Sequence, residues 1–182
     1  INRLYLNNGT STPFSGVTGL NITTDVHQTL DVELADIDRD GDLDLIAGNQ
    51  NQVNRLYLND GNGNPWDTIS GIDITTDVYD TRDVELSDVD LDGDLDIVTG
   101  DWSTAHLYLN PGGKPWLPAW TKSTMTDING YETQVDVSDV NGDDKPDIVL
   151  GQPDWTNPVA GILINNGTSS PFNSVPKYLV RA

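Results

Sequence analysis

The segment NRLYLNDG, from Asn54 to Gly61, returns nearly unchanged at three other places: NRLYLNNG from Asn2, AHLYLNPG from Ala105 and AGILINNG from Ala160. Repetition at a fixed spacing constrains a fold more than any local motif, because each repeat must be one structural unit that buries its apolar face against the next. A second string keeps step with the first. Asp36, Asp88 and Asp139 open the acidic loops DIDRDGDLD, DVDLDGDLD and DVNGDDKPD, which sets the period at 52 and then 51 residues. Helical solenoids repeat at shorter lengths with 3.6-residue periodicity, and no such pattern runs inside these units.

Each unit reads as four short strands. TRDVELSDV alternates apolar and polar residues, DLDIVTG follows the acidic loop, NRLYLN comes next, and a more irregular strand follows an Asn-Gly turn. A Pro-aromatic pair lies beyond each turn: Pro13-Phe14, Pro65-Trp66, Pro115-Trp116 and Pro171-Phe172. A period near 50 built from four strands predicts an all-β fold, a β-propeller segment whose blades run A to D outward from the axis, with the acidic loops in the A–B hairpins. The chain then holds about three and a half four-stranded blades in a single domain, residues 1–182: a half-blade at 1–25 and blades at 26–77, 78–130 and 131–182. It opens on Ile1, as a processed form or a piece of something longer would. An arc of this kind leaves a strand edge and blade faces bare, so upstream sequence or another copy is expected to cover them.

The acidic loops raise the question of what balances them. Fourteen of the 29 Asp and Glu residues lie in these three loops, in a chain with net charge −20. Only nine Lys and Arg are present, which argues against a nucleic-acid partner. There is no Cys, so thiolate metal sites and disulfides are excluded. No apolar run reaches the length of a membrane span, and no membrane insertion is expected. Oxygens at loop positions 1, 3, 5 and 9, with a backbone carbonyl at 7, are what a hard cation with six to eight oxygen ligands requires. The candidate metal residues are Asp36, Asp38, Asp40, Asp42 and Asp44 in the first loop, and Asp88, Asp90, Asp92, Asp94 and Asp96 in the second. In the third they are Asp139, Asn141, Asp143, Lys145 and Asp147, where position 7 serves through its carbonyl. Up to three Ca²⁺ ions are expected. Magnesium suits such loops less well, because it holds its waters and demands a near-ideal octahedron. An EF-hand needs a Glu at position 12, where this chain has Ala47, Thr99 and Leu150. The alternative is an acidic turn without an ion. In the third loop Asp144 stands at position 6, where a left-handed backbone is expected, and Gly142 is placed to take up part of the strain.

D-x-D-x-D-G-x-x-D followed by a strand and an NRLYLNNG segment resembles the FG-GAP/VCBS repeats of integrin-α-type propellers and of large secreted bacterial proteins. The FG and GAP dipeptides are absent, which makes the VCBS form the nearer match. The resemblance implies calcium in A–B hairpins and an extracellular or secreted protein of a kind that often serves adhesion or carries glycan-active domains. The expected function is therefore a non-catalytic, calcium-binding propeller module for adhesion or for recognition of a glycan or an extracellular protein. Two alternatives stay open: the propeller part of a secreted polysaccharide lyase or hydrolase, and a structural subunit that self-associates through its incomplete blade.

Other residues are read against that frame of repeats. No G-x-S-x-G or H-E-x-x-H is present, and no catalytic residue is assigned. His106 aligns with Arg3 and Arg55, which predicts a solvated strand position, while His27 belongs to a recurring H/Y-x-Thr with Tyr79 and Tyr131 and is expected to be structural. Asp31 with Glu33, Asp83 with Glu85, and Gln134 with Asp136 alternate with core residues on strand A. They predict hydrogen bonds between blades in preference to an acidic channel lining. Trp102 and Trp155 fall in B–C loops, where an indole serves either as a sugar platform or as a cap on its blade. Asn8, Asn21 and Asn166 sit in N-x-Thr sequons, which are glycan acceptors in a eukaryotic secretory host and plain turns in a bacterium.

Overall fold

A computed structural model describes residues 1–62, 66, 69–113, 120–125, 134–152, 159–173 and 177–181. Among them every regular element is a β-strand. The first pair, β1 (Arg3–Leu4) and β2 (Leu20–Asn21), is antiparallel. Next come β3 (Thr29–Ala35), β4 (Asp44–Gln52), β5 (Arg55–Tyr57) and β6 (Ile72–Asp73), each antiparallel to its neighbour. The same meander follows in β7 (Tyr79–Ser87), β8 (Asp96–Asp101), β9 (Ala105–Leu109) and β10 (Thr121–Met125). It recurs in β11 (Gln134–Ser138), β12 (Asp147–Gln152), β13 (Val159–Leu163) and β14 (Lys177–Arg181). These four-stranded antiparallel sheets with an acidic loop in each first hairpin make the chain a partial β-propeller. The boundary expected at residues 130 and 131 lies outside the described residues.

Sequence explains the order of the strands. Strand B is apolar without alternation, DLIAG in β4 and DIVTG in β8, because it is covered on both faces, and Ile46 and Val98 are fully buried. Strand A carries a register shift at the same place twice, between Thr29 and Asp31 in β3 and between Thr81 and Asp83 in β7. The bulge bends the strand. The far end of β4 can then also pair with the start of β7, with Gln50 opposite Asp80 and Gln52 opposite Tyr79, which joins two blades into one curled sheet.

The core lies between blades. Ile37, Ile46, Leu56 and Ile74 of one blade meet Val84, Ile97 and Tyr108 of the next. Val89, Val98, Leu107 and Met125 meet Val135, Ile148 and Leu163 in the same way. Each buried aliphatic contributes about 1.5–3 kcal/mol from removal of its surface from water. Polar staples accompany the apolar contacts, and for Asp31 and Asp83 they are the between-blade bonds expected of strand A, whereas Glu85 lies within electrostatic reach of Glu33, Asp83, Asp136 and Asp31. The Asp31 carboxylate accepts from the Val84 N–H and that of Asp83 accepts from the Val135 N–H, both at 2.8 Å. The leading Asn of NRLYLN acts likewise: Asn2 donates to Thr29 Oγ1 and Asn54 to Thr81 Oγ1, each at 3.0 Å. That gives the Thr of the recurring H/Y-x-Thr its role. Gly48 makes the close approach possible, because a Cβ there would fall 2.8 Å from Val84 Cγ2.

Candidate metal centre and neighbouring sites

Each acidic loop is folded by its own side chains. Position 9 is buried at the base of the hairpin. Asp44 accepts from the N–H groups of Ile37 (3.0 Å) and Asn59 (2.8 Å), Asp96 from Val89 (2.9 Å) and Asn110 (2.8 Å), and Asp147 from Val140 (3.1 Å) and Asn165 (2.8 Å). One carboxylate thus ties the loop to the end of strand C in all three repeats. Burial pushes the Asp44 carboxyl up to about 6 and that of Asp96 up to about 7, against the pull of those N–H groups and with help from neighbouring acids.

Above this base the remaining carboxylates converge. Ligand oxygens of Asp36, Asp38 and Asp40 lie within 4.8 Å of one another, and so do those of Asp88, Asp90 and Asp96. Position 1 folds the loop around itself: Asp36 accepts from the N–H groups of Asp40 and Gly41, and Asp88 from that of Gly93. Asp139 accepts from Asn141, Gly142, Asp143 and Asp144, which holds its carboxyl below the usual range. Positions 4 and 6 are left-handed in every loop. Arg39 and Gly41 have φ of 58° and 98°, Leu91 and Gly93 of 62° and 93°, and Gly142 and Asp144 of 80° and 64°. In the third loop the glycine has moved from position 6 to position 4, so each loop contains one glycine and one strained residue. Sequence exposed only the position 6 requirement.

Position 7 sets its side chain against the C–D turn, and that of Lys145 also reaches back into its own loop to Asp143. A Cβ on Gly61 would fall 2.6 Å from Asp42 Oδ2, and Gly112 and Gly167 lie against Asp94 and Lys145 in the same manner. These contacts place the position 7 side chains of Asp42, Asp94 and Lys145 against the C–D turn, which suits a residue that serves through its carbonyl. Asp92 accepts from the Asp94 N–H at 2.8 Å. Lys145 donates to Asp143 at 2.7 Å and lowers the pKa of that carboxyl.

The fit of a cation can be judged on one atom. Asp88 Oδ1 is buried and has no hydrogen-bond partner. A buried anionic oxygen without a donor is costly, and Asp90 beside it is pushed up by burial and by Asp92 and Asp88. A donor set made only of carboxylate, amide and carbonyl oxygens fits a hard divalent cation, and Ca²⁺ is the one that tolerates such irregular shells. Bound there, such an ion would supply positive charge and hold the hairpin.

Two links between loops were not visible as motifs. Arg39 of the first loop pairs with Asp94 of the second at 3.2 Å. Asn165, in the third repeat, donates to the Val89 carbonyl of the second loop at 2.7 Å and to the Pro146 carbonyl at 2.9 Å. The signal for Asn165 was the repeated Asn that closes LYLN. Its counterparts Asn59 and Asn110 donate to Leu43 and Leu95.

His106 corrects the sequence reading. It is fully buried, its Nδ1 lies 2.6 Å from Asp101 Oδ2, and Tyr79 stacks on it at 4.1 Å between centroids. In the preceding repeat Arg55 stands here, paired with Asp25 at 3.1 Å and with Asp73, while Asn49 stands in place of Asp101. At the same aligned position residue and partner have both changed, so alignment with an arginine misled. His27 lies 3.5 Å from the Asn49 amide, in keeping with a structural role. Trp102 is 38% exposed, with Arg82 over its ring at 4.8 Å and Arg82 held by Asp80 through two bonds of 2.8 and 3.0 Å. Trp155 lies outside the described residues. The Asn8 and Asn166 carboxamides are engaged within their turns, where each accepts from the Thr two residues on and donates to backbone carbonyls.

Comparison with known proteins follows the repeats. The sequence profile described as an FG-GAP-like repeat matches residues 36–99 and 88–150, together more than half of the chain. Cartilage acidic protein 1 of Mus musculus is 39% identical over 67 residues, which covers 36% of this chain and 10% of that protein. Its counterpart in Xenopus tropicalis is 39% identical over 75 residues, 39% of this chain and 11% of that protein. The chain thus spans about a tenth of the length of the curated relatives it matches.

Proposed function

Because this chain belongs to the FG-GAP-like repeat family, we propose that it is a calcium-binding propeller module that works outside the cell as a non-catalytic binding element. The observation that carries the reading is the buried, unpartnered Asp88 Oδ1 inside a converging set of oxygens. An extracellular setting supports it, since millimolar calcium keeps such loops filled while resting cytosol does not. The relatives named for cartilage are consistent with that setting. Calcium holds the A–B hairpins, and the B–C loops on the opposite face are then free to vary. Trp102, braced by Arg82, offers an exposed indole face there to a sugar ring.

Calorimetric titration of chelator-stripped protein tests the metal assignment. Saturable binding is expected, with one site lost in Asp36→Asn and another in Asp88→Asn. Absence of binding, or identical titrations in both variants, would refute it. Glycan-array binding that disappears in Trp102→Ala at unchanged melting temperature is the expected result for the recognition face. Equal binding by the variant would remove Trp102 from it.

A further inference from the structure

Cross-strand partners on strands C and D share a face, and one such pair recurs in each repeat. Leu4 lies opposite Leu20, Leu56 opposite Ile72, and Leu107 opposite Ser123. The third pair alone carries a small polar residue. A second exchange accompanies it in the turn that packs against this face from the following blade. Trp66, from the C–D turn between β5 and β6, is buried and packs with Leu4 and Ile22 of the preceding repeat. Phe172 holds the place of Trp66 two repeats later, and it packs against the cluster of Leu107 and Met125. Both exchanges are from large to small. Between Ser123 and Phe172 lies a cavity of about 400 Å³, with Leu107, Met125 and Leu163 as its apolar floor.

We propose that this cavity binds a neutral pyranose sugar. Its volume lies within the range of small-molecule sites. Thr121 and Ser123 bring hydroxyls from β10, and Ser169, Ser170 and Asn173 bring polar groups from the facing turn. Hydroxyls both donate and accept, as those of a sugar do, while the Phe172 ring and the aliphatic floor suit the C–H face of a pyranose. The turn wall is set in advance: the Asn166 carboxamide donates to the carbonyls of Ser170 and Asn173, and the Asn173 N–H donates to the Ser170 carbonyl at 3.0 Å. None of the described residues that line the cavity is charged, in a chain of net charge −20. A phosphate, a carboxylate or a metal ion would therefore find no countercharge there. A purely aliphatic ligand would displace water from the hydroxyls without replacing its hydrogen bonds. The inference rests on the reading of this chain as a binding element, but on residues other than Trp102, whose B–C loop lies on the opposite face.

Ligand-observed NMR titration of the full chain in calcium tests it, with the methyl glycosides of glucose, galactose, mannose, fucose and N-acetylglucosamine as probes. At least one should bind. Ser123→Ile gives this repeat the side chain found at Ile72, and Phe172→Trp gives it the one found at Trp66. Each should weaken binding at least tenfold while the melting temperature stays level or rises; because they fill the space from opposite walls, a folding fault in one leaves the other to decide. Trp102→Ala should leave the affinity unchanged. No bound glycoside, full binding by both cavity-filling variants, or tighter binding of cyclohexanol than of any glycoside overturns the inference. Binding lost in Trp102→Ala and kept in both cavity-filling variants also overturns it and leaves Trp102 as the sugar contact. The reverse pattern upholds the cavity and counts against the Trp102 reading alone.

Discussion

Replacing Asp88 by asparagine should make the metal-free chain more stable and the calcium-loaded chain less so. Oxygens of Asp88, Asp90 and Asp96 lie within 4.8 Å of one another. At that separation two unit charges repel by about 0.9 kcal/mol in water and about 3.5 kcal/mol at an effective dielectric of 20. The scans are run at pH 8, above the value of about 7 to which burial pushes the Asp96 carboxyl. Asp88→Asn removes two of the three repulsions, about 2 kcal/mol at the lower bound, and its carboxamide oxygen still accepts from the Gly93 N–H. For a chain of this size that is a rise of roughly 4–8 °C in melting temperature in chelator. With calcium at a hundred times its Kd, the wild type gains about 2.7 kcal/mol from this site, which the variant loses. Thermal scans at pH 8 in chelator and in calcium should therefore cross over. A variant that is destabilised equally in both conditions would show that Asp88 acts only as a hydrogen-bond acceptor, and would refute the charge argument.

Strand A supplies a prediction independent of metal. Glu85 is pushed up to about 7 by burial, and further by Glu33, Asp83, Asp136 and Asp31. The folded chain holds this proton more tightly than the unfolded one, so stability falls as pH rises from about 4.5 to about 7 and is level beyond. Glu85→Gln should flatten that decline in chemical denaturation at a series of pH values; an unchanged slope contradicts it. Ile46→Ala empties a site at the centre of a blade interface. It should cost about 2–5 kcal/mol with no change in the number of bound calcium ions, as read by denaturant midpoint and titration; loss of binding would place the metal in the core.

What could be read from the sequence follows from which interactions repeat. The strands, the A–B placement of the acidic loops and the between-blade carboxylates were legible because Asp31 and Asp83, or Asn2 and Asn54, do the same work one period apart. The exchange of Arg55 and Asn49 for His106 and Asp101 was not, because the histidine makes sense only with Asp101 five residues before it, while Arg55 answers to Asp25 and Asp73 far away in sequence. Arg39 was hidden for a similar reason: it sits at a left-handed position that glycine takes in the third loop, and its partner Asp94 is one blade away. Sequence placed Trp102 in a loop, but only the structure shows that Arg82 covers one side of the ring.

The most direct measurement of the central claim is anomalous diffraction from crystals grown in calcium, recorded at a long wavelength where Ca²⁺ scatters anomalously. The account predicts peaks enclosed by Asp36, Asp38 and Asp40, by Asp88, Asp90 and Asp96, and by Asp139, Asn141 and Asp143. Well-ordered loops with no peak among their carboxylates would contradict it.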